Sequence, residues 1–481
     1  MKSLFRPAAL ACAALVALLA VSARAEVRLP KVLSSHMVVQ QEQPIAVWGW
    51  ADAGEEVTVV MGDAARATKA GDDGSWSVQL PARKASSKPA KITIKGENEI
   101  VLEDVLVGEV WVCSGQSNMQ WSVRQANNPD EEIANAKHPN IRLFTVARNP
   151  AETPQSDCVG ANQGSWDACS PQTVGGFSAV GYFFGRELSE NLDVPIGLIN
   201  SSWGGTICEA WTSDEKLHTD DDFQPILERS ATFKPGQPNQ ASVLFNGMIQ
   251  PLLPLSIRGA IWYQGESNVG RAAQYAKLFP AMIEDWREQF RQADMPFVFV
   301  QLAPYRYGRN DPALLAEQWE SQLKTVRKLD NVGMAVTTDI GNTKDIHPKN
   351  KQEVGRRLAL WALANTYGKK DLAYSGPLYK SSKVEGGKIR ITFDYASGGL
   401  VAEGGGPLTH FTIAGENGEF VEATAEIDGE EVVVSSDKVA KPVAVRFAWS
   451  DTAEPNLFNK VGLPASPFRT DDFKLLTADN K

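Results

Sequence analysis

Cysteine and histidine are scarce in this chain, five of each among 481 residues. There is no CxxC pair and no His-rich cluster, so nothing in the spacing points to a metal site. With so few imidazoles, few residues can serve as a base near neutral pH. Basic charge is also short: 48 Lys and Arg against 58 Asp and Glu leave a net charge of −10. Such a surface repels nucleic acid and anionic membranes, and neither is expected as a partner. After the first 25 residues no apolar run is long enough to cross a bilayer, and no internal repeat is visible.

The one apolar run, Ala8 to Val21, lies at the start. Lys2 and Arg6 precede it and Ala23-Arg24-Ala25 follows, the layout of a cleavable export signal rather than an anchor. Cys12 sits too early in the run for lipid attachment. Residues 1–25 are therefore expected to be removed and the protein exported, periplasmic or secreted. Losing Lys2, Arg6 and Arg24 takes the charge to −13. Cys113, Cys158, Cys169 and Cys208 remain, and an oxidising compartment allows them to pair. Cys158 with Cys169, flanking a polar loop, is the favoured pair. Tryptophan is plentiful at 13 residues, and its rings pack cores or stack on sugar faces.

The length calls for more than one domain. Residues 26–105 alternate in the manner of strands, as in Ile45–Trp50, Val57–Val60 and Trp76–Leu80, and predict a small β-sandwich. Between 106 and 370 the texture is that of an α/β domain. Short apolar runs (Val105–Cys113, Val194–Asn200, Ile257–Gln264, Phe297–Leu302, Val332–Asp339) predict parallel strands buried on both faces. Helices come between them, the clearest carrying Tyr275, Leu278, Phe279, Met282, Ile283, Trp286 and Phe290 on one face. Lys349–Tyr367 reads as the closing helix. Residues 371–481 return to β texture, with a glycine-rich loop at Gly398–Gly406.

In a parallel sheet, ligands bind beyond the carboxyl ends of the strands. Those ends carry Ser114-Gly115-Gln116-Ser117-Asn118-Met119, Ser201-Ser202-Trp203-Gly204-Gly205-Thr206, Gln264-Gly265-Glu266-Ser267-Asn268, and Asp339 followed by Asp345-Ile346-His347-Pro348. These supply the roles of acyl transfer. A serine hydroxyl needs a base, and the base needs a carboxylate to orient it. Ser117 is the candidate nucleophile, His347 the base and Asp345 its partner, with Asp339 as the alternative acid. Backbone N–H groups of Ser117 and of Gly204 or Gly205, with the Gln264 amide, are candidate donors to an oxyanion. The bland alternatives stand beside these. Gly115–Asn118 has the composition of a plain turn, His347 before a proline suits an exposed loop, and Glu266 suits either catalysis or the bracing of neighbouring loops.

Taken together, Trp111–Met119, Trp262–Asn268 and Asp345–Pro348, with Asn200–Thr206 and Glu209-Ala210-Trp211, resemble the sialate O-acetylesterase family of SGNH hydrolases. The resemblance covers the central region, and the opening β region and Asn456–Phe468 look similar too. It implies a flavodoxin-like three-layer α/β/α domain with β-rich ends, and no metal or cofactor. It implies Ser117, His347 and Asp345 as catalytic residues, with Gln264 where many SGNH enzymes carry asparagine. The implied substrate is a 9-O-acetylated sialic acid. An acetylated xylan or other plant polysaccharide is the alternative, since substrate transfers poorly within a fold. A catalytically silent carbohydrate-binding protein is the reading from another class. Trp203, Trp211 and the Tyr305-Arg306-Tyr307 loop are candidates for the sugar-binding surface, with Arg306 or Arg309 against a sialate carboxylate.

Overall fold

A computed structural model describes residues 26–158, 165–308, 311–396 and 398–480. The segment read as an export signal and Arg309 lie outside the described residues. At the centre are six parallel strands: β1 (Glu99–Gly115), β2 (His138–Thr145), β3 (Ile196–Ser202), β4 (Gly259–Tyr263), β5 (Phe297–Val300) and β6 (Val332–Ala335). Their order is β6-β5-β4-β1-β3-β2, and Asp167–Cys169 adds a short antiparallel edge beyond β2. The principal helices around the sheet are α1 (Ala179–Leu192), α2 (Ala272–Gln289), α3 (Ala313–Lys328) and α4 (Lys351–Asn365).

Alternation along β1 shows why both faces are covered. Val110 and Val112 join a core with Trp262, Tyr275 and Phe279, while Trp111 and Cys113 join the opposite core with Tyr182, Phe184 and Leu358. Residues from α2 thus fill one side, and residues from α1 and α4 fill the other. This is the expected three-layer α/β/α domain. The chain runs outward to β2 and back to β3 on one side of β1, then to β4, β5 and β6 on the other. The crevice at the end of β1 is therefore the switch point of the sheet, where such folds bind ligands.

β1 is 17 residues long and belongs to two structures at once. Its first part pairs with Ser86–Lys95 and Val38–Gln40 of the N-terminal β region. Its second part lies between β3 and β4. The boundary expected between 105 and 106 thus falls inside a continuous strand. The C-terminal region forms its own core around Ile391, Phe411, Val432, Val445 and Phe468. It is tied to the central domain where Gln301 Nε2 donates to Ser466 Oγ at 2.8 Å and Thr477 donates to Glu317.

Several expectations are corrected. Cys158 and Cys169 are free thiols. They cannot pair because Cys158 packs in one core beside Trp166, and Cys169 in the other beside Tyr182. Burial pushes both thiols up to about 12. The glycine-rich loop at 398–406 contains a strand, Leu400–Ala402, paired with Leu457–Asn459. β2 went unread because Pro139 and Arg142 interrupt its apolar pattern. Arg142 is buried there against the Asp104 carboxylate, at 2.7 and 3.1 Å.

Candidate active site

β1 ends in Gly115, whose φ of +131° is open to glycine. A Cβ there would lie 2.2 Å from the Tyr263 carbonyl oxygen. This close approach lets the chain turn sharply into the short helix Ser117–Gln120, leaving Ser117 half-buried at its first position. Across 230 positions of sequence, His347 Nε2 lies 2.9 Å from Ser117 Oγ. An imidazole at that distance can take the hydroxyl proton. The Trp121 ring stacks on the imidazole, with centroids 4.6 Å apart and planes 14° from parallel.

Asp345 caps its own loop, accepting the His347 backbone N–H at 2.9 Å. Its carboxylate oxygen is 3.9 Å from His347 Nδ1, an ion-pair separation rather than a hydrogen bond. Asp339 is occupied elsewhere, since the Arg357 guanidinium holds both of its oxygens at 2.7 and 2.6 Å. Burial lowers the His347 pKa below the usual histidine value. The positive charge of Lys351 lowers it further, while Asp345 opposes both.

Gly204 approaches the serine from β3. A Cβ on it would lie 3.2 Å from Ser117 Cβ, so only glycine allows this contact without crowding. The Gly204 N–H donates to Gln120 Oε1 at 2.8 Å. Gly205, at φ +77°, continues the turn with open space where a side chain would stand.

Two expected site residues stand elsewhere. Gln264 is fully buried, and its amide donates to the Thr206 carbonyl at 3.1 Å and to Asn268 Oδ1 at 2.7 Å. Both of its protons are spent inside the wall, so none is aimed at the pocket. Trp211 is fully buried, donates to Thr206 Oγ1 at 2.9 Å and packs edge-on against Trp262. It is core and lines no sugar surface. Trp203 is half-buried beside Gly204, with the exposed Arg148 guanidinium 5.7 Å from its ring centroid. Arg306 is exposed, and its backbone N–H donates to the Thr343 carbonyl on the loop that carries His347.

Sequence reasoning missed the residues that brace the pair. Asn118 is buried and donates to Glu266 Oε1 at 2.6 Å and to the Ile346 carbonyl at 3.0 Å, and its own oxygen accepts from Lys351 Nζ at 2.5 Å. Glu266 therefore braces loops. Asn118 stood inside the Ser117 motif and was within reach of a sequence reading, whereas Lys351 carried no signal. Among the described residues, no group of three or more His, Cys, Asp or Glu side chains could hold a metal ion.

Comparison with known proteins places the chain in a family. The family of carbohydrate esterases described as sialic acid-specific acetylesterase matches residues 107–364. The sialate O-acetylesterase of Rattus norvegicus is 33% identical over 450 residues, 81% of this chain and 83% of the relative. That of Homo sapiens is 35% identical over 394 residues, 73% of each. The crystal structure of a carbohydrate acetylesterase from Xanthomonas citri superposes with a TM-score of 0.86 at 40% identity, covering 93% of this chain and 100% of that one. The chain thus belongs to the sialic acid-specific acetylesterase family of carbohydrate esterases and is a carboxylic ester hydrolase.

Proposed function

We propose that this protein removes O-acetyl groups from sialic acid through an acetyl-enzyme formed on Ser117. The observation that carries the reading is the 2.9 Å approach of His347 Nε2 to Ser117 Oγ at the switch point of the sheet. His347 takes the hydroxyl proton as Ser117 attacks the acetyl carbonyl, then returns it to the departing sugar alcohol. Water enters by the same route and releases acetate. The Ser117 and Gly204 N–H groups are the donors assigned to the oxyanion, with Gln120 Oε1 giving up Gly204 as substrate arrives. Asp345 closes on Nδ1 as the imidazolium forms, since catalytic hydrogen bonds are often long before substrate binds. Trp203 supplies a face for the sugar. Removal of residues 1–25 and export, to the periplasm or beyond, complete the reading.

The substrate assignment is supported by the names of the mammalian relatives at 33% and 35% identity. The test is acetate release from O-acetylated sialic acid and from acetylated xylan under the same conditions. Faster release from the sialate is expected. Release from xylan alone would replace the substrate class while leaving the esterase chemistry in place.

A further inference from the structure

Beneath the Ser117–His347 pair lies a buried polar group that the acyl-transfer mechanism does not use. Lys351 is fully buried at the first position of α4, with its ammonium over the Tyr263 ring, 5.1 Å from the centroid. Its ammonium donates to Asn118 Oδ1 at 2.5 Å. The other end of that amide donates to Glu266 Oε1, and Glu266 Oε2 is buried with no partner. Asn118 follows Ser117 in sequence, and the carbonyl it also holds belongs to Ile346, the residue before His347. One carboxamide therefore fastens the turn that presents the nucleophile to the loop that presents the base. A primary amide can be flipped by half a turn with little change in shape. Here a cation on its oxygen side and a carboxylate on its nitrogen side admit only one orientation.

We infer that Lys351 is a positioning residue for this esterase: through Asn118 it sets the register of Ser117 against His347, and its ammonium acts electrostatically on the base. The inference rests on the proposed roles of Ser117 and His347. The charged and titratable groups facing Lys351 are Glu266 from the β4 loop, Asp345 and His347 from the loop before α4, and Tyr263 at the end of β4. Glu266 and Asp345 favour its charged form, while burial opposes it and brings its pKa down to about 7. Lys351 therefore still carries charge in the acid range where His347 titrates. A like charge nearby disfavours the imidazolium, so the base stays neutral to lower pH.

Three variants separate the two effects, each checked for folding by circular dichroism, with kcat and KM for p-nitrophenyl acetate measured from pH 5 to 9. Lys351→Gln keeps a donor for Asn118 but removes the charge. Its acid limb should move to higher pH, a several-fold loss of kcat/KM at pH 6 that disappears by pH 8. Lys351→Met removes donor and charge, and kcat should fall at every pH in addition to the same displacement. Lys351→Arg keeps the charge and should keep the acid limb of the parent. If Lys351→Met does not fold, the Gln and Arg pair still tests the inference through the acid limb. An acid limb unmoved in Lys351→Gln overturns the inference. A parent enzyme with no acid limb at all would instead count against His347 as base, and so against the proposed function itself.

Discussion

Trp121 lies flat against His347, 4.6 Å between ring centroids, and its own N–H is anchored 2.9 Å from the Gln125 carbonyl. The anchored indole leaves the imidazole one orientation, the one that brings Nε2 to Ser117. Trp121→Ala should lower kcat by about tenfold or more, because misplacing a base by an ångström is costly. Trp121→Phe, which keeps a stacking face, should retain most of the rate. Steady-state kinetics on a small acetyl ester check this, since such a substrate makes no use of the sugar surface.

Asp345 should matter through the charge of the imidazolium more than through the resting structure, where it stands 3.9 Å from Nδ1. Asp345→Asn keeps a side-chain oxygen for the His347 backbone N–H and loses the carboxylate. Its kcat should drop by roughly 10²- to 10⁴-fold with the fold intact. A near-parent rate would remove Asp345 from the mechanism. Asp339, held by Arg357, is no ready substitute.

His347 is partly buried beside Lys351, and both features hold its pKa below the usual value. The base is active when neutral, so activity should be full at neutral pH and fall only on acidification below the ordinary histidine range. A pH–rate profile of kcat/KM is the check. A limb rising above pH 7 would contradict the assignment.

Stability should carry the mark of Lys351 as well. Its folded pKa of about 7 lies far below that of an exposed lysine, so between about pH 7 and 10 the unfolded chain binds the extra proton. Stability relative to Lys351→Met should therefore rise with pH across that window, by on the order of a few kcal/mol. Urea denaturation of both proteins at pH 6 and 10 measures it.

Glu109, fully buried in β1, is held by Arg258 at 2.5 and 3.0 Å, by the Tyr367 hydroxyl at 3.0 Å, and by Gln41 at 2.5 Å. It joins the N-terminal β region, the central sheet and the chain just past α4. Arg258→Ala would strand the carboxylate, and a loss of about 3–5 kcal/mol is expected in denaturant unfolding. Unfolding should remain a single transition, because β1 is shared between the two regions.

Much of this was legible beforehand where chemistry coincided with pattern. Runs such as Ile257–Gln264 read as strands because both of their faces are buried, and Ser117 and His347 read as a pair because strand ends meet at one rim. The failures have a common cause in burial that polarity disguises. Arg142 hid β2 from a reading by apolar pattern, yet it is satisfied by Asp104. Gln264 and Trp211 looked available to substrate, yet each is turned inward onto Thr206. Lys351 carried no sign of its role in the sequence, and only tertiary contact with Asn118 reveals its place.

The most direct measurement is the rate of p-nitrophenyl acetate hydrolysis by Ser117→Ala, with mass spectrometry of the acid-quenched parent enzyme. Complete loss of turnover in a folded variant is expected, with an acetyl adduct on the parent peptide containing Ser117. Undiminished turnover in Ser117→Ala, or an adduct mapped to another residue, would contradict the account.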